Sequence, residues 1–129
     1  MIGLIYKEYD MVCIAQLRQD IMKINNAINT KMYGRGLIRQ KVCFLEEENI
    51  ILIIANNQRV PALAALDSKD RTATRLFDMT LLKEFSERLK EELSISLGLS
   101  IKCILKDYDP VCELAVTTIV LEKRIIDKK

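Results

Sequence analysis

Apolar residues recur along this chain at two spacings, and the switches between them lay out a series of elements. Over residues 11–33, Ile14, Leu17, Ile21, Ile24 and Ile28 stand three and four apart, the period of one helix face, with Arg18, Gln19, Lys23, Asn25, Asn26 and Asn29 flanking them. Asp10 is placed to cap the start and Gly34 to close the end. Such a helix spans about 33 Å at ~1.5 Å per residue, long for a small domain. Residues 37–45 and 50–57 predict a hairpin. Val42/Phe44 alternate with Cys43/Leu45, Glu46-Glu47-Glu48-Asn49 turns the chain, and Ile50–Ala55 is apolar without a break. A continuous apolar strand is usually covered on both faces, so this one is expected in the middle of a sheet or against a second subunit.

The second half repeats the order of elements without repeating the residues. Pro61 can occupy the first position of a helical turn continued by Ala62 to Leu66. Residues 67–70 form a loop with cap candidates for a helix over 71–97, whose face is Leu82, Phe85, Leu89, Leu93 and Leu97. Leu76, Phe77 and Leu81 widen that face, and Gly98 ends the helix. In 99–106, Ile101, Cys103 and Leu105 alternate with Lys102, Ile104 and Lys106. Residues 107–110 read as the turn, and the β-branched run 111–121 as the last strand. The order α-β-β-α-β-β predicts a single α+β domain over residues 1–129. It is expected to be a two-layer sandwich of a four-stranded, mainly antiparallel sheet and two long helices, with a short extension (1–9) and a charged tail (122–129). The extension lacks the basic start and the length of a secretory signal, and no apolar run is long enough to span a membrane, which points to a cytoplasmic chain without direct membrane insertion.

Composition narrows the chemistry. The 129 residues include no histidine, which removes imidazole-based nucleophilic triads and imidazole metal sites. Net charge is +2 and only seven residues are Phe or Tyr, with no Trp, so neither charge nor base-stacking surface argues for nucleic acid. Cys13, Cys43, Cys103 and Cys112 form no C-x-x-C pair and read as buried, reduced thiols; no metal or cofactor is expected. Glu46-Glu47-Glu48, and Asp107 with Asp109, read as solvated turns. Glu84, Glu87, Glu91 and Glu92 mixed with Lys83, Arg88 and Lys90 read as a solvated helix face, and no catalytic set converges.

One local imbalance stands out. Lys31 to Lys41 carries Lys31, Arg35, Arg39 and Lys41 and no acid. With Gly34 and Gly36 around Arg35, it is a candidate contact for an acidic partner or for a phosphate or carboxylate anion. The second candidate surface is the first-helix stripe, Ile14, Leu17, Ile21, Ile24 and Ile28, whose heptad-like spacing suits a homodimer interface.

Tyr33-Gly34-Arg35-Gly36 after a long helix, an apolar second hairpin strand (Ile50–Ala55), Pro61-Ala62, a long helix with an Arg near its start, a Gly98-closed turn and two final strands follow in sequence. Over roughly residues 10–121 this order resembles the small soluble C component family of the bacterial sodium-translocating membrane-potential-generating system, formerly catalogued as a domain of unknown function. Leu37 stands where that family has proline, and Arg59-Val60-Pro61-Ala62-Leu63 where it has Leu-Thr-Pro-Ala-Glu. The resemblance implies a non-enzymatic accessory protein without a cofactor, partnered by a membrane transport complex for cations or inorganic carbon. Gly34, Arg35, Gly36 and Pro61 are the motif positions carried over.

Overall fold

The computed structural model describes residues 10–125, with side chains from Ile14 onward. The extension 1–9, Asp10 as a cap, the thiol of Cys13 and residues 126–129 lie outside what it describes. Among the described residues the order is α1 (Asp10–Tyr33), β1 (Arg39–Leu45), β2 (Ile50–Asn56), α2 (Pro61–Asp67), α3 (Arg71–Leu97), β3 (Ile101–Asp109) and β4 (Leu114–Leu121). The strands form one antiparallel sheet in the order β1-β2-β4-β3, so the all-apolar β2 is a central strand. The two long helices lie on one face of this sheet, which makes the α+β sandwich that the hydrophobic pattern predicts.

Local chemistry sets the helix ends. Pro61 occupies the first turn of α2. Asp70 caps α3 by accepting from the Ala73 amide at 3.1 Å. Gly98 closes α3 at φ 66°, and Gly34 follows α1 at φ 79°, where its amide donates to the Thr30 carbonyl at 2.8 Å. Both glycines take left-handed backbone that a Cβ would disfavour.

The core lies between helices and sheet. Leu17 and Ile21 of α1, Phe85, Leu89, Leu93 and Leu97 of α3, Val42, Ile51, Ile53, Ile101, Ile119 and Leu121 of the strands join in one buried cluster. This corrects the dimer reading of the α1 stripe. Leu17 and Ile21 are fully buried within the single chain, and Ile14, Ile24 and Ile28 pack half-buried at the cluster's margin. A stripe two to three residues wide suffices to cover the sheet's own inner face, so little of it is left for another copy. The start of α3 departs the other way: Leu76 and Phe77 are exposed, because the inward positions of these first turns are taken by Thr74 and Asp78.

The second hairpin also differs from expectation. β3 continues through Asp109, and the turn is Pro110 to Glu113. Asp109 accepts from the amides of Val111 and Cys112, and Glu113 takes a positive φ of 52°. A bulge between Ile101 and Cys103 shifts the register of β3 against β4. It reverses the faces read from alternation: Ile104, Lys106 and Tyr108 turn inward, while Cys103, Leu105 and Asp107 turn outward. Cys43 and Cys103 are half-buried and Cys112 is exposed, all three free, so these thiols are not the buried core residues expected.

Candidate functional site

The inner face of the sheet has an apolar end and a polar end. Across the strands, Phe44, Ile51, Ile119 and Ile104 form one row, Val42, Ile53, Thr117 and Lys106 the next, and Gln40, Ala55, Ala115 and Tyr108 the last. The two alanines leave room above the last row, and polar side chains from α1, α3 and the β2–α2 connection fill it.

Arg59 holds the centre of this polar end. Its side chain is 7% exposed, and the guanidinium makes paired hydrogen bonds to both oxygens of Asp67 (2.9 and 2.9 Å) and of Asp78 (2.7 and 3.1 Å). Arg71 adds longer contacts to both acids at 3.3 Å. The Arg59 amide donates to Glu113 at 2.6 Å, and its side chain lies 5.7 Å from the Tyr108 ring centre. Burial weighs against the charge on Arg59, but hydrogen bonds to Asp67 and Asp78 outweigh it and hold the proton more firmly than usual. The same bond from Arg59 pulls the Asp67 carboxyl down to about 2. Tyr33 and Tyr108 are each pushed up to about 12, chiefly by burial, with Asp78 adding to the effect on Tyr33 and Glu113 to that on Tyr108.

A ladder of amides continues the site along α1. Asn29 and Asn57 bond reciprocally at 2.9 and 3.4 Å, and Asn29 also donates to the Arg35 carbonyl. Asn25 donates to Gln40, which donates to the Met22 carbonyl, and Asn26 accepts from the Leu37 amide at 2.8 Å. Asn29 is therefore a buried fastener for the loop after α1 and Asn25 for the start of β1, although the sequence places both among flanking polar residues. Only their recurrence four apart, in step with Leu17 and Ile21, hints at an inward direction.

Lys106 is the unusual member. The bulge carries it inward, its ammonium sits 3.1 Å from the centre of the Phe85 ring, and burial lowers its pKa to about 7. A lysine of that kind is suited to nucleophilic chemistry where substrate can reach it. The cavity on one side of it, lined by Tyr33, Arg59, Asp78 and Tyr108 among others, holds about 20 Å³, room for about one water molecule, and on the other side Lys106 borders an open groove of about 630 Å³ with Met79, Leu82, Lys90 and Leu105. The cluster thus works as a clamp that ties the β2–α2 connection to α3 and to the β3 edge. Among the described residues, no group of three or more acids and cysteines converges as a metal site.

The basic segment does not form one site. Lys31 is exposed on the helical side, bordering the groove between α1 and α3. Arg35 turns across to bond Gln58 at 2.8 Å. Arg39 and Lys41 lie on the opposite, outer face of the sheet. The amides of Gly34 and Leu37 already serve Thr30 and Asn26, and a Cβ on Gly36 would stand 3.1 Å from the Asn26 side-chain oxygen. Gly36 thus allows the close approach of the loop to α1, and the glycines shape this loop rather than cradle an anion. Pro61 lies at the start of α2, remote in role from that loop.

The outer face of the sheet is the remaining large feature. Ile50, Leu52 and Ile54 from β2 and Leu114, Val116 and Val120 from β4 line its middle, and no described element covers it. Ile54 is 36% and Val116 37% exposed. Compared with known protein families, characterised proteins and solved structures, the chain matches none.

Proposed function

We propose that this chain is a non-enzymatic accessory protein that acts through its surfaces, works as a homodimer and docks onto a membrane transport complex from the cytoplasmic side. The uncovered apolar face of the sheet carries the reading. Ile50, Leu52, Ile54, Leu114, Val116 and Val120 stand together on its two middle strands, and a contiguous apolar patch left open in this way marks an interaction surface. The Arg59 cluster supports the non-enzymatic part, because its guanidinium and carboxylates are paired with one another and the cavity beside them admits about one water. The family resemblance supports the membrane partner, and no helix of the described residues is long and apolar enough to cross the membrane itself.

Sedimentation equilibrium of the unaltered chain at micromolar concentration tests the dimer, with an expected mass of twice 14.9 kDa. A monomer throughout that range removes it. Lys31 and Arg35 remain for the membrane partner once Arg39 and Lys41 are assigned to the sheet face. The double variant Lys31→Glu, Arg35→Glu is expected to lose co-purification with the membrane complex, and full recovery removes this segment as the contact.

A further inference from the structure

The open sheet face is chemically polarised, and the polarity follows the strand order. Its outward residues form four rows across β1, β2, β4 and β3. The first is Arg39, Asn56, Leu114, Asp109 and the second Lys41, Ile54, Val116, Asp107. The third is Cys43, Leu52, Thr118, Leu105 and the fourth Leu45, Ile50, Val120, Cys103. Two cations stand on one edge strand and two carboxylates on the other, at the same two levels, with Asn56, Leu114, Ile54 and Val116 between. Arg39, Lys41, Asp107 and Asp109 are all exposed.

We infer that two copies of this chain pack sheet on sheet through these faces about a two-fold axis parallel to the strands, setting Arg39 and Lys41 on the partner's Asp109 and Asp107. This rests on the homodimer reading above and specifies its geometry. A two-fold along the strands exchanges left and right but keeps the levels, so β1 lies over the partner's β3 and β2 over its β4. Both cations then meet carboxylates, twice over by symmetry, and Ile54 meets the partner's Val116 while Ile50 meets its Val120. A two-fold across the strands would instead lay β1 on the partner's β1 in reversed level, with Arg39 over Leu45 and Lys41 over Cys43, and would leave every charge unmatched. An isologous contact must be self-complementary, and the first axis alone of these two makes it so. Aligned sheets pack about 10 Å apart with strands crossing at about 30°, a separation that a lysine or arginine spans to reach an aspartate at the rim.

The edges argue that growth stops at this contact. Arg18 donates to the Val42 carbonyl on the free edge of β1, and Lys90 to the Lys102 carbonyl on that of β3. Basic side chains on both edges discourage strand-by-strand extension and leave the face as the available surface.

The test uses two single charge reversals, Lys41→Asp and Asp107→Lys, each in the full chain, with circular dichroism to confirm folding. Lys41 and Asp107 are separated within one chain by β2 and β4, so neither reversal breaks an ion pair between them; Asp107→Lys gives up only the bond that its carboxylate accepts from the Tyr108 amide at 2.8 Å. Each variant alone brings like charges together across the axis and is expected to dimerise about tenfold or more weakly than the unaltered chain. Mixed in equal amounts, they are expected to recover near-native affinity as a heterodimer. The two introduced charges then face each other with opposite signs, and the unaltered Lys41 of one copy faces the unaltered Asp107 of the other. A dimeric unaltered chain whose two variants gain nothing on mixing overturns the axis while leaving the homodimer reading intact. A monomeric unaltered chain overturns both.

Discussion

Arg59 answers three carboxylates from three parts of the chain, since Asp67 lies at the end of α2, Asp78 on α3 and Glu113 in the last turn. Removing one side of a buried ion pair strands the other, so Arg59→Met is expected to destabilise the fold by about 3 kcal/mol in urea unfolding. A loss below about 1 kcal/mol, the range of ordinary surface pairs, would contradict the buried role. Asp67 adds a pH dependence of known sign. Its folded pKa lies near 2, below the ordinary 3.8, so its contribution is present above pH 4 and lost as pH falls toward 2; Arg59→Met should flatten that part of the acid profile. Lys106 works in the opposite sense. The unfolded chain keeps this proton to about pH 10.5 and the folded chain only to about 7, so unfolding takes up a proton between those values. Stability therefore rises with pH across that window, and the cost of the buried charge is complete below pH 7. Lys106→Met is expected to raise Tm by roughly 5 °C at pH 6 and to lose most of that gain at pH 10.5, read by thermal denaturation. A gain equal at both pH values would mean that packing, not charge, is responsible.

At the scale of elements, what could be read in advance was what local chemistry decides. Asp70 and Gly98 bound α3 because a cap needs only its neighbours, and Pro61 starts α2 for the same reason. Asp70→Ala should therefore cost about 1 kcal/mol, and a chemical denaturation curve unchanged by it would contradict the capping role. β3 was less legible. One bulge at Ile101/Cys103 exchanges the two faces of every residue after it, and strict alternation carries no sign of a bulge. That single offset turns Lys106 into the core and Leu105 out to 62% exposure. The Arg59–Asp78 pair was equally hidden, because its partners are nineteen residues apart and belong to different elements. The burial of Asn25 and Asn29 depends on β1 and the loop after α1 folding back onto them, which no period in α1 specifies.

For the whole molecule, the helical layer uses the apolar stripe of α1 to complete the core of one chain and leaves the opposite side of the sheet open. An apolar β2 called for cover on both faces; the described residues supply one cover, and a second copy is proposed as the other. The distribution of charge follows the same plan. A net charge of +2 conceals a sheet whose outer face is basic at one edge and acidic at the other. The most direct measurement is sedimentation equilibrium of two variants beside the unaltered chain, Ile54→Lys in the middle of the open face and Ile24→Lys in the groove between α1 and α3. The predicted result is a dimer for the unaltered chain and for Ile24→Lys, with a folded monomer for Ile54→Lys. A dimer that survives Ile54→Lys, or is lost with Ile24→Lys alone, would place the contact on the helices and contradict the account.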